Sequence, residues 1–306
     1  MKKIYIASLV IVLLVVGVVF TLILFQKKPS SEITNTLISQ VDYQCDTGKT
    51  INAKYYEGAK AKEPQPEEMP TPTGSVELVL SDGQHLTLSQ TISGSGIRYA
   101  TANESLIFWS KGNSAFITEN DVQTYSGCVA LAKDPGGLPQ AYASSTAGFS
   151  VRYPANYIVD PAYHYQGLGP NKKIEGVKFI IPTETATGTN LSSFDTGVSV
   201  ETFPNISNCN AGLFLDSTNN GTSTIIENDT PYSVATSSGA GAGNFYEETV
   251  WAIPNTNPCI AVRYFIHSTN LGNYTPGTIQ EFNRQTLMNQ FDVIRRTLIL
   301  APSNAN

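Results

Sequence analysis

The side chains best placed to do chemistry lie between residues 93 and 112, in the stretch SGSGIRYATANESLIFWSKG. Ser93-Gly94-Ser95-Gly96 is a small-residue turn, an apolar strand follows, and a second tight turn carries Lys111 at its tip. A hydroxyl and an ammonium are thereby presented on two loops, each held by a strand. A lysine ammonium is a compact cation with three donors and can serve two carboxyl groups at once. A serine hydroxyl beside it adds a further hydrogen bond. Gly94, Gly96 and Gly112 let the backbone turn sharply enough for both side chains to project.

Other constellations fail on spacing. His85, His164 and His267 are far apart, with no H-x-H or H-E-x-x-H pattern, and read as ordinary strand or loop residues. The run Gly239-Ala-Gly241-Ala-Gly243 is not a dinucleotide fingerprint, because a strand rather than a helix follows it, and it reads as a flexible loop. Ser95 lacks the glycine two positions earlier that a nucleophile elbow carries. Glu247 and Glu248 are adjacent on a strand, point to opposite faces and cannot form an acid/base pair. The expectation is a protein that is not an enzyme, with no metal site and no cofactor.

The elements that must position the two loops are short alternating runs: 41–45, 50–56, 75–81, 85–90, 105–110, 113–118 and 121–128. Ser81-Asp82-Gly83-Gln84 and Lys111-Gly112-Asn113 are hairpin turns between them. Many short strands at regular spacing predict a small antiparallel barrel or sandwich over 41–132. A Pro-, Glu- and Lys-rich stretch, 57–74, interrupts it as a loop or extended excursion. Residues 133–147 read as a linker, and a second domain of α+β sandwich type follows at 148–306. Its candidate strands are 149–153, 176–181, 197–203, 223–227, 244–253 and 259–267. Thr275-Pro276 reads as a helix start, and Ile279, Phe282, Leu287, Phe291 and Ile294 then recur at helical spacing.

Ahead of all this, Ile4 to Phe25 carries no charge and no proline, which at 1.5 Å per residue is long enough to span a bilayer. The run ends Leu24-Phe25-Gln26-Lys27-Lys28 rather than in a small-residue cleavage site, so it is expected to stay as a single transmembrane anchor over 1–25. A stalk over 26–40 follows. Lysine pairs flank the run on both sides; the short N-terminus stays inside and the globular part faces out. Cys45, Cys128, Cys209 and Cys259 agree with an oxidising compartment, showing an even count and no metal spacing. Three connectivities are open, and the sequential pairs each fall inside one segment of similar texture. The net charge of −6 disfavours nucleic acid and favours a basic partner by steering.

The segment 41–132 resembles the membrane-bound lysozyme inhibitor of C-type lysozyme family. The matching residues are YQC at 43–45, VELVLSDGQHLTLSQ at 76–90, SGSGIRY at 93–99, FWSKGNSAFI at 108–117 and Cys128. The resemblance implies an antiparallel β-barrel of about eight strands, closed by a Cys45–Cys128 disulfide between its first and last strands. It also implies that C-type lysozyme is the partner, its cleft entered by Ser95 and Lys111, with Ser93 competing for the serine role. Tyr99 and Trp109 are expected to pack the barrel or its rim. The spacer from Ala100 to Ser105 sets the relative height of the two loops. An alternative is a cell-surface adhesion or envelope-binding protein that keeps the barrel and has changed its target. Residues 149–160, FSVRYPANYIVD, resemble the opening of PsbP-like domains, a resemblance that carries no active residues over.

Overall fold

The computed structural model describes residues 36–58, 72–169, 172–216, 221–227 and 229–301. The apolar run at 4–25, most of the stalk and most of the 57–74 excursion lie outside the described residues. Among the described residues, no helix is long and apolar enough to cross a membrane.

Eight antiparallel strands close into a barrel: β1 (Thr36–Gln44), β2 (Thr50–Glu57), β3 (Ser75–Leu80), β4 (His85–Thr91), β5 (Ile97–Ala100), β6 (Leu106–Lys111), β7 (Ser114–Glu119) and β8 (Val122–Ala130). The pairing of β1 with β8, Tyr43↔Ala130 and Gln44↔Val129, closes the barrel, and strict alternation gives it an apolar inside. In β2 and β3, Ile51, Ala53, Tyr55, Val76, Leu78 and Leu80 point inward while their sequence neighbours stay wetter. Tyr43, Tyr55, Tyr99 and Phe108 fill the interior with rings at centroid separations of 5.8–6.3 Å. The Tyr43 and Tyr55 hydroxyls bond at 2.9 Å, and Tyr55 donates to Ser110 Oγ, so these buried oxygens are paired. Burial pushes the Tyr55 phenol above its ordinary range, and the Tyr99 phenol up to about 12. Cys45, just past β1, is disulfide-bonded to Cys128 in β8 across a sequence separation of 83. Closing a loop of that length stabilises the fold by about 4 kcal/mol in the chain-entropy model.

Beyond the barrel, β9 (Gln140–Ser144), β10 (Phe149–Tyr153) and the two-residue β19 (Ile299–Leu300) form a small sheet in the order β19-β10-β9. Thus residues 140–144, within the stretch read as a linker, are strand. A larger antiparallel sheet contains β11 (Ile158–Asp160), β12 (His164–Tyr165), β13 (Ile174–Ile180), β14 (Gly197–Phe203), β15 (Ser223–Glu227), β16 (Thr230–Gly241), β17 (Asn244–Ile253) and β18 (Cys259–Thr269). Its order is β11-β13-β14-β18-β17-β16-β15, with β12 paired to β13. On one face Val177, Val198, Val200, Val262 and Tyr264 pack against Leu287, Phe291 and Ile294 of helix α1 (Arg284–Arg295). The other face carries a second apolar cluster around the Cys209–Cys259 disulfide, and both sequential pairings therefore form.

Two local expectations are corrected. Helix α1 is capped by Asn283, whose side chain accepts from Thr286 N at 2.9 Å, and not by Thr275. Residues 275–282 are held otherwise: Gly277 has φ +83°, Gln280 N donates to Gly188 O, and Phe282 N donates to Asn190 Oδ1. The glycine-alanine run is not a loose loop. Gly239 and Gly241 pair with Tyr246 and Asn244, and only Ala242 and Gly243 turn, both at positive φ.

Candidate functional site

The two small turns singled out in the sequence share one rim of the barrel. Strand β5 pairs with β6 in the register Ile97↔Ser110, through to Ala100↔Ile107. Continuing that register brings Gly96 level with Lys111, so the spacer leaves the two turns at equal height. The β6–β7 pairing runs out to Lys111↔Ser114, leaving Gly112 and Asn113 as a two-residue turn. Only Gly112 of the two has positive φ, +54°, as a first central residue of a type II′ turn requires.

Each turn is braced. Ser93 Oγ donates to Ser95 O at 2.7 Å, and Trp109 Nε1 donates to the same carbonyl at 2.9 Å. The Trp109 ring stacks on Phe116 at 5.2 Å on the outside of the barrel, whereas Tyr99 is buried inside it. Asn113 is pinned from both ends: its carbonyl accepts from Ala130 N, and Nδ2 donates to Leu300 O at 2.8 Å. Directly behind Lys111, Ser110 is buried and tied to Tyr55. The rim is therefore a stiff mount.

On that mount the two serines have different jobs. The Ser93 hydroxyl is spent within the turn, whereas the exposed Ser95 hydroxyl has no hydrogen-bond partner among the described residues. Lys111 is exposed and makes no ion pair or hydrogen bond with any described residue. An ammonium and a hydroxyl, neither with a partner among the described residues, thus sit at adjacent turns, Lys111 as the last residue of β6. Sequence reasoning placed these two on turns and Trp109 at the barrel or its rim, but missed which atoms Trp109 and Asn113 fasten, because their partners, Ser95 O and Leu300 O, are backbone atoms chosen by the fold.

Gly96 is the tightest point of the rim. Its φ is +68°, and a Cβ there would lie 2.6 Å from Ser110 O and 2.9 Å from Trp109 Cζ2. Gly96→Ala is expected to cost about 1–3 kcal/mol, combining left-handed strain with a displaced Trp109. Thermal denaturation followed by Trp fluorescence checks this; an unchanged midpoint would mean that the turn relaxes freely.

Elsewhere, the larger sheet buries an ionic cluster. Arg263 donates from Nε and Nη2 to both carboxylate oxygens of Glu201 at 2.8 Å, from Nη2 to Phe214 O, and from Nη1 to Glu248. Glu247, next to Glu248, instead reaches Arg284 at 2.7 Å, so the two carboxylates do face apart. No group of three or more His, Cys, Asp or Glu side chains among the described residues could hold a metal.

Residues 43–125 match the family described as membrane-bound lysozyme-inhibitor of c-type lysozyme. The match runs from Tyr43 near the end of β1 to Tyr125 in β8, so it takes in both turns of the rim and stops just before Cys128. No curated protein matches the chain.

Proposed function

We propose that the chain is an extracytoplasmic inhibitor of C-type lysozyme, held at a membrane by its N-terminal apolar run, and that Lys111 and Ser95 enter the enzyme's cleft. The observation that carries this reading is Lys111, exposed and without a partner among the described residues, beside the Ser95 turn, within a segment that matches the inhibitor family.

The chemistry suits the target. A retaining glycosidase works with two carboxyl groups about 5–5.5 Å apart, one of them a general acid. An ammonium between them favours the ionised form of both, which removes the acid. Its three donors serve both carboxylates, while the stem obstructs the sugar subsites. Ser95 contributes a hydrogen bond to the same carboxylates. Gly96 and Gly112 supply the turns, and Ser93 holds the shape of the first. The net charge of −6 draws in a basic enzyme.

The full-length, disulfide-bonded chain is expected to slow cell-wall hydrolysis by a C-type lysozyme stoichiometrically, and to do so less well at high salt. A turbidity assay against increasing inhibitor checks this. No inhibition at micromolar protein would overturn the reading and leave the barrel as a binding module for another envelope component.

A further inference from the structure

The face of the larger sheet opposite α1 carries, beside the apolar cluster around the Cys209–Cys259 disulfide, a polar patch that the barrel rim does not use. Lys178, Ser199, Arg263 and Val250 lie in one row across β13, β14, β18 and β17. Phe265 and Glu248 form the next row, and His267 and Tyr246 the one after. Between this face and the segment carrying β12 is a cleft of about 540 Å³.

Lys178 lines that cleft and is 94% buried, with 6% exposure. Its ammonium makes no hydrogen bond or ion pair with any described residue, and instead lies 4.6 Å from the Phe265 ring centroid and 5.1 Å from that of Tyr163. Desolvation pushes its pKa down to about 8, against the opposing pull of Asp195, Glu201 and Glu248. Three carboxylates share the cleft: Asp195, Asp216 and Glu248. Glu248 is engaged by Arg263 and by Tyr165 OH at 3.0 Å, and Asp195 by His267 Nδ1 at 2.7 Å. His267 stacks on Tyr246 at 4.6 Å, and its Nε2 is buried with no partner among the described residues.

We propose that this cleft binds a neutral saccharide, with Lys178 donating to its hydroxyls and Tyr246 and Phe265 receiving the ring. A sugar presents an apolar C–H face and a rim of groups that both donate and accept. Aromatic faces meet the first, and an ammonium set among carboxylates meets the second. Charge argues against other occupants. Asp195, Asp216 and Glu248, with Glu201 behind them, outnumber Lys178 and Arg263 and disfavour an anion, and Lys178 itself disfavours a cation. The site belongs to residues outside the family match and stands independently of the inhibitor reading.

The test uses the full-length chain with cellotriose and chitotriose as neutral probes and trigalacturonate as an acidic one. Binding is followed by saturation-transfer NMR and calorimetry. At least one neutral trisaccharide is expected to bind, with affinity falling at least tenfold in Lys178→Met and in Tyr246→Ala. Tyr246 is only partly buried, so its variant reports even where Lys178→Met fails to fold, and thermal melts identify that case. The proposal is overturned if neither neutral probe binds, if trigalacturonate alone binds, or if binding survives both folded variants.

Discussion

Lys111→Ala is expected to raise the inhibition constant against a C-type lysozyme by about 30-fold to a few thousand-fold, corresponding to roughly 2–5 kcal/mol for truncating one partner of a desolvated charge pair. The thermal midpoint is expected to stay within about 0.5 kcal/mol of the parent, because surface substitutions away from structural features have effects of that size. The separation of the two readouts follows from position. Lys111 is exposed and has no partner among the described residues, so no described contact is lost when it is removed. The β6–β7 turn is held instead by Gly112 and by the two bonds of Asn113, which the substitution leaves alone. In the proposed complex the situation would reverse, because two enzyme carboxyls would lose their counter-ion. Lys111→Arg sharpens the argument. Charge is kept, but a planar fork replaces a compact ammonium, and recovery is expected to be partial. A Lys111→Ala protein that inhibits like the parent would sink the proposed role of this side chain.

How much of this was legible beforehand depends on the range over which each feature is determined. The barrel strands could be read because inward and outward positions alternate within each run, as in Ile51-Asn52-Ala53-Lys54-Tyr55. The turns that carry Ser95 and flank Lys111 could be read because glycines mark them in the sequence. Their common height could not, since it rests on the Ile97↔Ser110 register. The start of α1 was misplaced because Thr275-Pro276 is a good local cap, yet tertiary bonds from Gln280 and Phe282 hold that stretch out of the helix. The Lys178 cleft was invisible for a stronger reason. Its groups come from β12, β13, β17, β18 and the segment before β14, and only cross-strand register assembles them. His267 reads as an ordinary strand histidine until its partner Asp195, 72 residues earlier, is placed beside it.

Arg263→Met is expected to destabilise the protein by about 3–5 kcal/mol, the usual consequence of removing one member of a fully buried ion pair. For a chain of this size that lowers the thermal midpoint by about 10 °C. Both Arg263 and Glu201 have no side-chain exposure, and the guanidinium also caps Phe214 O and lies 3.5 Å from the Tyr165 ring centroid. Methionine fills much of the volume but leaves Glu201 with Ser199 Oγ, at 2.7 Å, as its one remaining side-chain partner among those described. Glu248 suffers less, because it is partly exposed and keeps Tyr165 OH. The dominant penalty is therefore an uncompensated carboxylate at Glu201, and it makes a second expectation. Adding Glu201→Met to Arg263→Met removes that carboxylate and should restore at least half of the lost stability, since apolar replacement of a whole buried pair is often neutral. If the double variant were as unstable as the single one, the loss would lie in packing around Tyr165 and Phe214 rather than in charge. Lysozyme inhibition measured below the melting transition provides the functional contrast. The cluster lies outside residues 43–125, so a folded Arg263→Met protein is expected to inhibit like the parent, while Lys111→Ala does the opposite.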